Sequence, residues 1–177
     1  ATNAGSFDIG VVEVDSRGHT GWSDQFGSAF YDSAGAAAYA SDGRLFVFGS
    51  TNGLVGQATM GSFDLVLRTY DASSGPTHTL QFGTPAQDVA GGVVVDASGN
   101  LYVCGIVYAA LGDQTALGGA DAFVQKYDPA GTLLWTRQFG TSAYDAATAV
   151  ALTSTGTVVV SGYVTGALPG KTGAGGF

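Results

Sequence analysis

The tripeptide Gln-Phe-Gly occurs three times in the chain at almost constant spacing. Its phenylalanines are Phe26, Phe82 and Phe139, so successive copies lie 56 and 57 residues apart. Other residues recur at the same steps: Asp8, Asp64 and Asp121; Asp32, Asp88 and Asp145; and Gly49, Gly105 and Gly162. A repeat of this length predicts an array of similar supersecondary units. We delimit the units as 5–60, 61–117 and 118–174, within a single array that covers residues 1–177.

Each unit contains four short segments with the composition of β-strands, most clearly in the third copy. Strand-like runs at 122–127 and 133–139 flank a turn that begins at Asp128, and a second predicted hairpin joins 147–152 to 157–165. Valine runs such as 158–160 are apolar on both faces, which is typical of sheets packed between other sheets. No segment shows an extended helical period. The chain is therefore predicted to be all-β, built from four-stranded antiparallel sheets.

The third copy resembles the repeat of the bacterial seven-bladed β-propeller (SBBP) family. The resemblance rests on the run from Asp121 to Gly131, on Trp135 and Phe139-Gly140, and on the run from Asp145 to Gly162. It extends over nearly the whole chain and implies that each sheet is a propeller blade. The competing architecture is a β-solenoid, whose coils are usually shorter than 57 residues.

The phase of the repeat divides the chain into two full blades plus two complementary half-blades. Residues 7–26 would form an outer hairpin and residues 147–165 an inner hairpin, while the tail at Gly175-Gly176-Phe177 would stop where a fourth unit begins. Propellers have roughly four to eight blades, so three units are too few to close a ring. We therefore expect a homodimer that gives a six-bladed ring, or a chain that is part of a longer one.

Charge and composition limit the partners. The chain has 14 acidic and 6 basic side chains and a net charge of −8, which repels phosphate backbones, so nucleic acid is not expected. No apolar run is long enough for a membrane span. The single cysteine, Cys104, excludes an internal disulfide. Abundant Gly, Ser, Thr and Ala with few lysines favour a secreted or cell-surface protein.

The candidate site residues are predicted to share one face. The first and third strands of a four-stranded antiparallel sheet run in the same direction, so the aspartates before them belong to one edge, beside the long loops where binding usually resides. Ca²⁺ is the cofactor that carboxylates there could hold, although such aspartates commonly accept backbone N–H bonds instead. The metal candidates are Asp8, Asp64 and Asp121. The candidates for a protein or glycan ligand are Asp32, Asp88, Asp145, Tyr31, Tyr108 and Tyr144.

No catalytic signature accompanies these residues. The sequence has no Gly-x-Ser-x-Gly elbow, no phosphate-binding loop and no cluster of Cys and His. The leading interpretation, implied by the family resemblance, is a non-enzymatic extracellular module for structure, adhesion or protein interaction. The alternative is a glycan-binding lectin with sites between blades, because aromatic rings beside carboxylates suit sugars. A hydrolase or lyase carried on a propeller, with paired carboxylates as acid and base, is the third hypothesis.

Overall fold

The computed structural model describes residues 3–56, 58–71 and 75–173. Within these ranges the chain forms twelve β-strands joined by turns and loops. In chain order they are β1 (Ile9–Val14), β2 (Thr20–Phe26), β3 (Asp32–Tyr39), β4 (Leu45–Thr51), β5 (Asp64–Asp71), β6 (Gly75–Phe82), β7 (Asp88–Val95), β8 (Leu101–Val107), β9 (Asp121–Tyr127), β10 (Leu133–Phe139), β11 (Asp145–Leu152) and β12 (Val158–Val164). The described part of the chain contains no helix that could span a membrane.

The strands form four antiparallel sheets, and neighbours in each sheet are also neighbours in sequence. Sheet I consists of β3 to β6 and sheet II of β7 to β10, each a four-stranded meander. The N-terminal hairpin, β1–β2, and the C-terminal hairpin, β11–β12, are two-stranded. The prediction of all-β structure, with two four-stranded sheets between two two-stranded ones, is confirmed. The proposed fourth unit at Gly175-Gly176-Phe177 lies outside the described residues.

The strand pairs repeat in register, as the sequence repeat requires. The first strand of each sheet and of the C-terminal hairpin has a bulge at the same place, where Gly35, Gly91 and Thr148 are each skipped in the pairing. The alanine-rich strand β3 departs most from the repeat, yet it pairs with β4 along its full length, from Asp32 opposite Thr51 to Tyr39 opposite Leu45. Backbone pairing therefore tolerates its small side chains.

The main core lies between sheets I and II, where apolar side chains from both are fully buried. Phe48 and Leu65 come from sheet I, and Val103 and Phe123 from sheet II. The first strands follow one another in space, because β3 contacts β7 and β7 contacts β11. This approach is close: a Cβ atom on Gly35 would lie only 2.8 Å from the carbonyl oxygen of Ala90. Glycine at this position allows the neighbouring backbones to meet.

Strand β12 differs from its counterparts in the two complete sheets. Every residue of β4 and of β8 is buried, and each of these strands has a strand on both sides. Among the residues that the structure describes, β12 pairs with β11 alone, and Val159 and Tyr163 are exposed. At the other end of the chain, β1 pairs with β2 alone and Val12 is 60% exposed. Both hairpins therefore present an apolar open edge.

Candidate functional site

The aspartates of the two predicted series meet in pairs at one edge of the sheets, which we call the aspartate edge. Asp32 and Asp64 both pair with Thr51 of β4, so they lie at the same end of sheet I. An isolated parallel bridge then joins the residues before the two aspartates at each junction, as between Phe63 and Gln87. The backbone N–H of the second aspartate donates across this bridge, from Asp88 to the Phe63 carbonyl at 2.9 Å. The resulting pairs are Asp8 with Asp32, Asp64 with Asp88, and Asp121 with Asp145.

The first aspartate of each pair accepts a hydrogen bond from the glutamine of the Gln-Phe-Gly motif. Gln81 Nε2 donates to Asp64 Oδ2 at 2.7 Å. The same bond joins Gln25 to Asp8 at 2.8 Å and Gln138 to Asp121 at 2.6 Å. Loop N–H groups also donate to these carboxylates, including Met60 N to Asp64 Oδ2 at 2.9 Å. The two most regular motifs of the sequence are thus bonded to each other.

The second aspartate of each pair closes the loop that follows Gln-Phe-Gly. Asp88 accepts from the backbone N–H of Thr84 at 2.6 Å and from its hydroxyl at 2.8 Å. Ser28 donates to Asp32 in the same way, and Thr141 to Asp145. Side chains that accept bonds from nearby backbone N–H groups fix the turn they belong to. All three second aspartates are buried, so the arrangement chiefly fixes the junctions between neighbouring sheets and hairpins.

The glycine of the motif makes room for the pair. A Cβ atom on Gly27 would lie 2.5 Å from Asp32 Oδ2 and 2.8 Å from Asp8 Oδ1. A Cβ on Gly83 would collide with Asp88 Oδ2 in the same manner. Any larger residue would therefore push the carboxylates out of place, so this glycine is required by close approach.

The pair at the junction of sheets I and II is almost completely buried. Asp64 and Asp88 are 1% and 0% exposed. Burial and, to a smaller extent, the nearby charge of Asp64 raise the pKa of Asp88 to about 7, against the lowering effect of the Thr84 hydrogen bonds. Asp88 therefore changes its charge near neutral pH, within a structural junction.

The three predicted metal ligands lie at three separate junctions. In residues 3–56, 58–71 and 75–173, no three His, Cys, Asp or Glu side chains are grouped closely enough to hold a metal ion. The Oδ1 atoms of Asp8 and Asp121 are buried and accept no hydrogen bond. An ion at either place would need further oxygen ligands from loop carbonyls or water. Calcium binding by Asp8, Asp64 or Asp121 stays a prediction.

The predicted tyrosines form two groups at the aspartate edge. The hydroxyls of Tyr108 and Tyr144 lie 2.8 Å apart, and the Tyr144 ring stacks on that of Tyr163 with centroids 6.0 Å apart. This group joins sheet II to the C-terminal hairpin. Tyr31 belongs to a second group, in which its ring lies 5.1 Å from Phe7 and 6.0 Å from Phe63. The structure thus brings Tyr108 and Tyr144 together and leaves Tyr31 apart from them.

A further cleft lies at the opposite edge, between the N-terminal hairpin and sheet I. It has a volume of about 460 Å³. We call it the Trp22 cleft and define it by Glu13, Trp22, Asp24, Tyr39 and Tyr70. The rings of Trp22 and Tyr70 lie 5.4 Å apart, and the Tyr70 hydroxyl donates to Asp24 Oδ2 at 2.9 Å. Burial and this hydrogen bond raise the pKa of Tyr70.

No protein-family model and no curated protein matches this chain. The site has to be interpreted from its own residues and from their repetition along the chain.

The Trp22 cleft was not predicted from the sequence, because its residues lie at the edge opposite the long loops, where binding usually resides. A signal was nevertheless present. Trp22 recurs as Trp135, but Asp24 stands where the second copy has Leu80, and Tyr39 stands where it has Val95. Residues that differ between copies at one register mark a place where one copy has acquired a different environment.

Proposed function

We propose that this chain is a non-enzymatic β-propeller module for structure, adhesion or protein interaction, whose open edges are completed by strand pairing. The observation that carries the proposal is the contrast between β12 and its counterparts β4 and β8. The strand at this position of the repeat is wholly buried in two copies and mostly exposed in the third. An apolar strand with unpaired backbone groups is a template for another strand.

The complete sheets specify how this completion would be made. Leu45 pairs with Tyr70 in sheet I, and Leu101 pairs with Tyr127 in sheet II. In the repeat, Val158 corresponds to Leu45 and Leu101, and Val14 corresponds to Tyr70 and Tyr127. The same register would therefore place Val158 of one chain opposite Val14 of another. Val160 would then lie opposite Val12. The proposed composite sheet has the strand order β11, β12, β1, β2, with the last two strands supplied by the second copy.

Two chains arranged head to tail would form a closed ring. Each chain supplies two complete blades, and the two pairs of hairpins supply two composite blades, which makes six. Six lies within the range of known propellers, and closure removes the exposed edges that otherwise favour aggregation. Further strands of a longer chain could fill the same positions.

The properties of the aspartate edge support a role without catalysis. Its carboxylates accept bonds from loop N–H groups and from the motif glutamines, which occupies the groups that a hydrolase would use as acid and base. The resemblance to the SBBP repeat supports the same function and a secreted or cell-surface location.

Native mass spectrometry and disulfide trapping test the proposal together. We expect a dimer mass and efficient oxidation of a Val12→Cys, Val160→Cys double variant to an interchain disulfide. The pair Val12→Cys, Val158→Cys is the control, because its register is wrong. A monomer at all concentrations would contradict completion by a second copy. Spectra with Ca²⁺ and with a chelator would test calcium at Asp8, Asp64 and Asp121.

Glycan binding is the second candidate function, favoured by the tyrosine group between sheet II and the C-terminal hairpin. Tyr163 is 43% exposed and its ring stacks on Tyr144, so an aromatic surface is available beside the Tyr108 hydroxyl. A glycan array that shows binding by the wild type and its loss in Tyr163→Ala would support this function. An array without signal would contradict it.

A further inference from the structure

The Trp22 cleft combines aromatic rings with negative charge. Trp22 is 37% exposed and Tyr39 is 58% exposed, so both rings are available from solvent. Glu13 and Asp24 add carboxylates from the N-terminal hairpin, and no Lys or Arg is among the described lining residues. The volume of about 460 Å³ is within the usual range of small-molecule sites, roughly 300–1,000 Å³.

These two features together select for one class of ligand. The face of an aromatic ring carries negative electrostatic potential and attracts a cation within about 6 Å, most strongly when the ring belongs to tryptophan. Carboxylates nearby strengthen the attraction, and the net charge of −8 raises the local concentration of cations. An anionic ligand would be repelled.

A cation of the chain itself lies beside the cleft, against two of its defining residues, Tyr70 and Asp24. The guanidinium of Arg68 lies 4.3 Å from the centroid of Phe26 and 5.6 Å from that of Tyr70. One of its nitrogens lies 3.7 Å from Asp24 Oδ2, while its Nε atom is buried without a hydrogen-bond partner. Rings and one carboxylate therefore hold a positive group here with few hydrogen bonds, which is how an organic cation is held.

The equivalent positions at the next junction keep one tyrosine and have lost the carboxylate and the exposed ring of Tyr39. Leu80 occupies the register of Asp24, Val95 that of Tyr39, and Tyr127 that of Tyr70. These three side chains pack in the main core between sheets I and II. The Trp22 cleft is therefore not a general consequence of the fold.

We propose that the Trp22 cleft binds an organic ammonium cation, with the positive group against Trp22 and Tyr39 and its charge balanced by Glu13, while Asp24 stays paired with Arg68. All of these residues belong to one chain. The site therefore needs no residue of a second copy, and the two proposals can fail separately.

Choline and its neutral isostere 3,3-dimethylbutan-1-ol are the probes that test this site. The alcohol has a carbon atom where choline has its ammonium nitrogen, so the difference in affinity between the two probes measures how much the positive charge contributes to binding. We expect isothermal titration to show choline binding about tenfold more tightly, which corresponds to about 1.4 kcal/mol and is in the range of a cation–π contact. A Trp135→Phe variant leaves Trp22 as the only tryptophan, so its fluorescence should respond to choline.

Matched variants separate the site from general effects. Trp22→Ala is expected to lower choline affinity about tenfold, whereas Trp135→Ala, at the same register on β10, should leave it unchanged. Glu13→Gln on the exposed hairpin should weaken binding several-fold and reduce its dependence on salt. Equal affinity for the two probes, tighter binding of a methyl glycoside than of choline, or no heat with choline from a folded protein would each overturn the proposal.

Discussion

Strands β8 and β12 occupy the same place in the repeat but differ in what surrounds them. The sequence of β8 is Leu-Tyr-Val-Cys-Gly-Ile-Val and that of β12 is Val-Val-Val-Ser-Gly-Tyr-Val. Both are apolar, yet β8 is wholly buried between β7 and β9, whereas β12 is mostly exposed beside β11. The composition of β12 is that of an interior strand. The comparison shows that copies of one repeat can share an apolar pattern while differing in how much of it is buried.

Three matched valines test this comparison most directly. Val47, Val103 and Val160 share one register, but Val47 and Val103 are 2% and 0% exposed and Val160 is only half-buried. Removing two methyl groups from a core position costs the transfer free energy plus a cavity, about 2–3 kcal/mol. Urea unfolding of dilute protein should show this loss for Val47→Ala and Val103→Ala, and about 1 kcal/mol or less for Val160→Ala.

Repeating the unfolding experiment at several protein concentrations tests whether a second copy covers β12. If a second copy covers β12, the loss for Val160→Ala should increase as the protein becomes dimeric, while the loss for Val103→Ala should not change. Equal losses for all three variants in dilute protein would show that β12 is already covered within one chain, and would contradict the comparison.

The motif glutamines extend the comparison to polar groups. Gln81 makes four hydrogen bonds: its Oε1 accepts from Val55 N and Gly56 N, and its Nε2 donates to the Gly53 carbonyl and to Asp64. In the N-terminal hairpin, Gln25 donates to Asp8 alone among the described contacts.

Unpaired buried polar groups cost roughly 1–3 kcal/mol. We expect Gln81→Ala to lower the free energy of unfolding by about 2 kcal/mol and Gln25→Ala by about 0.5–1 kcal/mol, measured by chemical denaturation. Equal losses would contradict this difference.

The sheets could be predicted from the repeat, but the hydrogen bonds between the motif glutamines and the aspartates could not. Residues that recur, such as Asp64 and Asp88, place strand starts, so the number and order of strands follow from spacing alone. The bond from Gln81 to Asp64 depends on the register between β5 and β6, in which Gln81 pairs with Val66. No periodicity encodes that register.

The Trp22 cleft was hidden for the opposite reason. It depends on Asp24 and Tyr39, which differ from the residues at the same positions of the other copies, so recurring positions do not identify it. These two residues line one cleft only because the fold brings β2 and β3 to the same junction. Recurrence therefore predicts the scaffold, while departures from it indicate where the copies differ in chemistry.

The buried pair at the central junction predicts a dependence of stability on pH. The pKa of Asp88 is about 7 in the folded protein and near 3.9 in an unfolded chain. Between these values the folded state binds more protons, so stability falls as pH rises through this window, by at most about 1.4 kcal/mol per pH unit. Thermal unfolding from pH 4 to 8 should show this slope in the wild type and its loss in Asp88→Asn.

Asp64→Asn provides the complementary test. Removing the charge of Asp64 should lower the pKa of Asp88, which carbon-13 NMR of the carboxyl groups would measure directly. A wild-type profile that is flat between pH 4 and 7 would contradict the proposed titration.

The smallest expected effect concerns how each terminal hairpin is attached. Tyr144 and Tyr31 share a register, but the Tyr144 hydroxyl bonds to that of Tyr108, whereas Tyr31 contacts the rings of Phe7 and Phe63. Tyr108→Phe removes the bond while keeping the ring, and should cost about 0.5–1 kcal/mol. Hydrogen exchange should then accelerate in β11 and β12.

Tyr31→Phe is the control, because no described hydrogen bond depends on its hydroxyl, and it should leave exchange in β1 and β2 unchanged. Faster exchange in both variants would mean that the two hairpins are attached in the same way, and the distinction between a polar and an aromatic junction would fail.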